Sequence, residues 1–223
     1  MMTAPAAASL IIVASYLLGS IPFGMLVTKL AGLGDIRKIG SGNIGATNVL
    51  RTGKKSLALL TLLLDGGKGA VAILIAGCLV SHGSQGGVDR SVPWAEARLI
   101  LYAGLSVMVG HMFPVWLKFQ GGKGVATAIG VITALSWATG LALMVTWMAI
   151  AAAFRYSSLA ALGVFLAGPV YAYFIEPSDQ NLFIFTVAII LPIFWKHRTN
   201  IRKLLNRTES RIAGGPNADT RTD

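Results

Sequence analysis

Residues 40–51 read Gly-Ser-Gly-Asn-Ile-Gly-Ala-Thr-Asn-Val-Leu-Arg, a polar, glycine-rich stretch set between two apolar runs. Gly40, Gly42 and Gly45 can each take positive φ and turn successive backbone N–H groups into one concavity. Ser41 and Thr47 add hydroxyls, Asn43 and Asn48 add amides, and Arg51 adds a rigid fork of N–H donors. No carboxylate interrupts the stretch. Donors gathered without a negative charge suit a phosphate. A connecting loop accounts for Gly, Ser and Asn one at a time, but not for this combination with an arginine.

A second chemical signal is the tetrapeptide Gly-Gly-Lys-Gly, which occurs at residues 66–69 after Asp65 and again at residues 121–124 after Gln120. Both copies read as a glycine turn presenting a lysine at a helix start, where free N–H groups and the helix dipole add to an anion site. Neither fits the G-x-x-x-x-G-K-[ST] pattern of a nucleotide-binding loop. Asp65 and Lys68 stand at i, i+3, close enough to pair on one helix face. Their residue types leave open whether they only neutralise each other or also hold the substrate loop. His197 and Asn200 share that spacing where the last apolar run ends, and they are candidates for handling a proton or a hydroxyl.

These groups need elements to hold them, and the composition says which kind. Of 223 residues, 54% are hydrophobic and only 13% are charged, far from a soluble domain, where about a quarter are charged. Apolar runs occupy residues 10–30, 57–80, 96–115, 125–154, 159–175 and 182–195, several of them near the roughly 20 residues that cross a bilayer. Pro22 should break the first run. Residues 125–154 are read as two short helices folded back near residues 138–140. The fold expected is all-α, a polytopic bundle of about seven transmembrane helices.

The net charge of +10 is concentrated in short loops and one tail beside apolar runs. That is the positive-inside pattern rather than a nucleic-acid surface. It places the N-terminus outside, residues 31–56, 116–124 and 196–211 in the cytoplasm, and residues 81–94 outside. The first run has no basic residue ahead of it and reads as a crossing, not a cleaved leader. Residues 1–211 form one membrane domain, and residues 212–223 read as a disordered cytoplasmic tail. Lone Cys78 excludes an internal disulfide, and the scattered histidines and carboxylates give no metal-ligand spacing.

Taken in order, the motif at 40–51, Leu-Asp-Gly-Gly-Lys-Gly, Gly-His-Met-Phe-Pro with Gly-Gly-Lys-Gly-Val-Ala-Thr, and the tail His197…Asn200-Ile201-Arg202 with Glu209 resemble one family over residues 19–211. It is the bacterial acyl-phosphate-dependent glycerol-3-phosphate acyltransferase family of the cytoplasmic membrane. The resemblance implies transfer of a fatty acyl group from acyl phosphate to glycerol 3-phosphate, giving lysophosphatidic acid and phosphate without a cofactor. It implies catalytic contacts from Ser41, Arg51, Lys123, His197 and Asn200. Phosphate-binding turns come from Gly40, Gly42, Asn43, Gly45, Thr47, Asn48, Asp65, Lys68, His111, Gly121, Gly122 and Gly124, and Glu209 has a supporting role.

The residues agree with that chemistry. An acyl phosphate is a mixed anhydride with a good leaving group, so positioning and charge stabilisation suffice. The H-x-x-x-x-D pair of acyl-CoA-dependent enzymes is absent, since positions 87, 116 and 202 are Gly, Trp and Arg. A CDP-alcohol phosphotransferase would need clustered metal-binding aspartates. The remaining rival is an anion or phosphate-ester transporter built on the same broken helices.

Overall fold

A computed structural model of the protein describes residues 4–80 and 94–212. Among these residues every regular element is helical. In chain order they are α1 (Ala4–Ser20), α2 (Phe23–Leu30), α3 (Ala46–Leu50), α4 (Lys55–Val80), α5 (Trp94–Met112), α6 (Val125–Leu135), α7 (Trp137–Phe154), α8 (Ser157–Ile175), α9 (Gln180–Ala188), α10 (Ile190–Lys196) and α11 (Arg198–Leu205). Short 3-10 turns lie at Ile36–Lys38 and Val115–Leu117.

Five stretches are long and apolar enough to cross a membrane: Ala8–Leu30, Lys55–Val80, Arg98–Leu117, Trp137–Phe154 and Ser157–Ile175. Gln180–Lys196 with Arg198–Leu205 makes a sixth if the pair, bent by 66°, counts as one. The seventh expected crossing, α6, has 11 residues. At 1.5 Å per residue it is about 16 Å long, roughly half the hydrocarbon thickness.

The breaks follow from particular residues. Pro22 disfavours the α conformation at Ile21, so α1 stops at Ser20 and the chain restarts at Phe23. Residues 125–154 do divide, but at Ser136 rather than at 138–140. Ser136 is extended at φ −149°, and its side chain accepts from the Thr139 N–H to cap α7. Gly140 is instead a packing residue, because a Cβ there would fall 2.2 Å from Thr133 Oγ1. Pro192 has no N–H for the carbonyl of Ala188, which interrupts the helix between α9 and α10.

The bundle is assembled from α1 on α5, α4 between α5 and α6, and α7 on α8, with α9 closing against α5 and α8. Phe165, Phe185, Ile132, Leu143 and Ile193 fill its centre, while Leu63, Met148 and Phe174 stay on the outside. Apolar side chains both inside and out are what a bundle solvated by lipid presents.

One expectation is overturned here. Residues 66–69 do not form a turn at a helix start; they lie inside the continuous α4. In an apolar setting the backbone keeps its i→i−4 bonds even through three glycines, because leaving them open costs several kcal/mol each. Those glycines serve packing instead. A Cβ at Gly69 would lie 2.3 Å from Thr127 O, and one at Gly130 would lie 1.9 Å from Gly66 O, so α4 and α6 meet backbone to backbone.

Residues 81–93, all but the last residue of the loop expected outside, fall beyond the described residues, as do residues 213–223 of the expected disordered tail. Ile212 is ordered, its N–H donating to Arg155 O at 2.7 Å.

Candidate functional site

The loop at 40–51 is shaped from within by Asn48. Its amide nitrogen donates to Ile36 O, Ile39 O and Asn43 O at 2.8–3.0 Å, and its Oδ1 accepts from the Ser41 N–H at 3.0 Å. Asn48 is 2% exposed, and its side chain is spent on the loop. Thr47 is engaged as well, its hydroxyl 3.0 Å from that of Ser157 at the start of α8. Gly40 (φ +53°) and Gly42 (φ +69°) take the left-handed conformation, so a side chain there would strain the turn. Gly45 departs from the expectation at φ −83° and serves as the N-cap of α3. The groups of this loop left facing outward are the exposed Ser41 side chain, the half-buried Asn43 and Arg51.

Arg51 packs its stem on Gly40, where a Cβ would lie 2.7 Å from Cδ. One arm of its fork donates to Ser210 Oγ at 2.6 Å. Lys123 reaches the same region from the loop before α6. There Gly124, at φ +83°, caps the helix. Lys123 Nζ donates to Asn200 Oδ1, Asn200 Nδ2 donates to Glu209 Oε1 at 2.7 Å, and Ser158 Oγ donates to the same oxygen at 2.7 Å. The tail therefore ties both loops to the first turn of α8, with Glu209 as the supporting link between Ser158 and Asn200.

Burial pushes the Lys123 ammonium down to about 8; Glu209 opposes this, while the charges of Lys203 and Arg51 add to it. Two cations from segments 72 residues apart (123 − 51) are thus near enough to feel each other. Cations held this close favour an anion beside them. His197, 2% exposed, lies at the bend between α10 and α11 within electrostatic reach of Lys123. Its Nδ1 is 2.8 Å from Ile193 O. A carbonyl only accepts, so Nδ1–H donates and Nε2 keeps its lone pair.

The structure brings Arg51, Lys123, His197, Asn200 and Glu209 together by these links, and Ser41 is fixed in the Arg51 loop by its N–H on Asn48. Asp65, Lys68 and His111 gather in a separate buried cluster, at 3%, 3% and 5% exposure. Lys68 Nζ is 2.9 Å and His111 Nδ1 is 3.6 Å from Asp65 Oδ1. The cluster touches the second loop through Gly122, whose N–H donates to His111 O. Ser157, Ser158 and Ser210 were missed as participants. The one signal for the first two was the polar Tyr-Ser-Ser after Phe154-Arg155, a pair of hydroxyls at the start of an apolar run. Among the described residues no group of three His, Cys, Asp or Glu is placed to hold a metal ion.

The family model for glycerol-3-phosphate acyltransferase matches residues 9–207. The chain is 52% identical to a glycerol-3-phosphate acyltransferase of Rhodospirillum rubrum, covering 89% of this chain and 88% of that protein. It is 51% identical to one from Mesorhizobium japonicum, covering 91% and 95%. The fold superposes on crystal structures of PlsY (YgiH), an integral membrane glycerol 3-phosphate acyltransferase. The match to the glycerol 3-phosphate form has a TM-score of 0.78 and 37% identity, over 92% of this chain and 94% of that one. For the lysophosphatidic acid form the TM-score is 0.77 at 36% identity, with the same coverage.

Proposed function

The chain belongs to the glycerol-3-phosphate acyltransferase family and acylates glycerol 3-phosphate in a membrane; from that premise we propose that an acyl phosphate is the donor, and that 1-acyl-glycerol 3-phosphate and inorganic phosphate are the products. The observation that carries this reading is the approach of Arg51 and Lys123 to each other from two glycine turns, with the one carboxylate near Lys123, Glu209, engaged by Asn200 and Ser158.

The reaction asks for little covalent chemistry from the protein. A glycerol hydroxyl attacks the carbonyl carbon of the donor, a tetrahedral oxyanion forms, and its collapse breaks the bond to the phosphate oxygen. The hydroxyl proton ends on the departing phosphate. Arg51 and Lys123 both bind the phosphate of glycerol 3-phosphate, and Ser41 and the glycine backbone are the neutral donors for the phosphate of the acyl donor. Neutral His197 turns its Nε2 lone pair to the attacking hydroxyl, and Asn200 fixes the Lys123 ammonium.

The absence of an acyl-CoA-type histidine–aspartate pair supports the same donor. His197 is tied to a backbone carbonyl. His111 does lie near Asp65, but its other nitrogen packs on Gly122 and is not open to substrate.

The site faces the cytoplasm of a bacterial inner membrane, with the N-terminus outside, because lysines and arginines crowd the segments that carry it. The test is purified protein offered acyl phosphate, acyl-CoA or acyl carrier protein as donor. Acylation is expected from acyl phosphate alone and without a metal. Robust acylation from acyl-CoA without prior conversion, or activity lost on chelation and restored by a divalent ion, overturns the reading.

A further inference from the structure

Asp65, Lys68 and His111 take no part in the steps above, yet three buried ionisable groups among apolar helices are costly unless each meets a partner. Lys68 Nζ donates to Ile21 O at 2.8 Å, the carbonyl at the break that Pro22 makes between α1 and α2. Its ammonium also lies 5.5 Å from the Phe23 ring centroid. Lys68 therefore fastens the break to α4. From that break α2 runs directly under the first loop, so close that a Cβ at Gly24 would fall 1.8 Å from Ile44 O.

The other half of the cluster reaches the second loop. The His111 carbonyl accepts from the Gly122 N–H at 3.0 Å, and the Met112 carbonyl accepts from the Gly121 N–H at 3.2 Å. The imidazole stands between Asp65 on α4 and Gly122. A Cβ at Gly122 would lie 2.1 Å from His111 Nε2, and the atoms nearest to it all belong to that ring. Gly122 is the residue before Lys123.

We propose that Asp65, Lys68 and His111 are positioning residues that set the separation of Arg51 and Lys123. One arm runs through Lys68, the break at Ile21, α2 and Ile44 to the first loop. The other runs through Asp65, the imidazole and Gly122 to the second. Asp65 is the shared anchor of both arms. His111 acts by its bulk and orientation and not as a base, because Nε2 faces a glycine Cα. This rests on the reading of Lys123 as a phosphate ligand.

Steady-state kinetics of the full chain in nanodiscs test the proposal, with unfolding temperature measured alongside. His111→Ala and Gly122→Ala should each raise the KM for glycerol 3-phosphate by about tenfold or more, with a smaller fall in kcat. Joining His111→Ala to Gly122→Ala should restore kcat/KM at least about fivefold over Gly122→Ala alone, because the ring that the new methyl strikes is gone. Asp65→Asn keeps the shape and removes the charge that seats the imidazole. It should raise the same KM, and it serves if His111→Ala does not fold. A double variant as poor as the product of its singles overturns the proposal. So does a fall in kcat at unchanged KM, which a catalytic base would give. Lys123→Ala separates the two readings. Wild-type KM in that variant means the phosphate site is misplaced, whereas a raised KM without rescue in the double variant refutes the positioning role alone.

Discussion

Residues 66–69 continue a 26-residue helix through the middle of the bundle, whereas the same tetrapeptide at 121–124 forms the turn before α6. Their neighbours explain the difference. Before the first copy stand Leu62, Leu63, Leu64 and Asp65, good helix material whose carboxylate neutralises Lys68. Before the second stand Pro114 and two left-handed residues, Lys118 (φ 51°) and Phe119 (φ 63°), which end any helix. Lys68 is consumed by Asp65 and a backbone carbonyl. Lys123 is held by a neutral amide, with Glu209, Lys203 and Arg51 all within electrostatic reach. One lysine is fixed by an ion pair inside a helix, and the other rests on a neutral amide in a loop. A motif is thus read by what precedes it and what pairs with it.

The largest test of that contrast is steric. Gly69→Leu or Gly130→Leu drives a side chain into the opposing backbone and should abolish monodisperse protein on size-exclusion chromatography. Gly67, with nothing within 4 Å of a Cβ, should accept alanine with equal or slightly higher stability, by up to about 1 kcal/mol. Tolerance at Gly69 and Gly130 would mean that α4 and α6 are not in backbone contact.

Next come the lysines. Lys68→Met leaves Asp65 buried without its ammonium and should cost roughly 3–5 kcal/mol, read as a lowered unfolding temperature. Asp65→Leu with Lys68→Met should be closer to wild type than Lys68→Met alone. Lys123→Met should lower the unfolding temperature much less, since the loss of its attraction to Glu209 is offset by relief of like charge at Arg51 and Lys203. Equal losses for Lys68 and Lys123 would erase the distinction.

A smaller effect follows from pH. Lys123 is depressed to about 8, so it carries its charge below that pH and loses it above. The substrate phosphate is fully ionised well before then, its second pKa being about 6. The KM for glycerol 3-phosphate should therefore rise as pH passes upward through 8, by up to about tenfold per unit. Lys123→Arg should flatten that rise, because guanidinium stays protonated. Parallel profiles would count against Lys123 as the anion's partner.

The least perturbing test is sidedness. In a Cys78-free background, single cysteines at Ser56 and Asn206 should label only from the cytoplasm, and one at Ser84 from outside. Labelling of the Ser84 and Asn206 positions from one side would break the orientation.

Much of this arrangement was legible in residue types. Pro22 marks its break and residues 125–154 divide as expected, although the division falls at the capping Ser136 and not at Gly140. What stayed hidden depends on contacts between distant segments. Asn48 looked like an outward amide because its four partners lie at Ile36, Ile39, Ser41 and Asn43, fixed only once the loop folds back. Ser158 and Ser210 join the site only because the tail crosses over α8. The first Gly-Gly-Lys-Gly looked like a turn because glycine propensity is a local signal. Apolar surroundings override it.

The central claim is that Arg51 and Lys123 are the charges that bind glycerol 3-phosphate, and equilibrium binding to purified, correctly inserted protein tests it most directly. Arg51→Lys keeps the charge and loses the fork; Lys123→Ala loses the charge. Each should weaken glycerol 3-phosphate binding by about 10- to 150-fold, the worth of one charge-assisted contact at roughly 1.5–3 kcal/mol. Wild-type affinity in both variants would contradict the account.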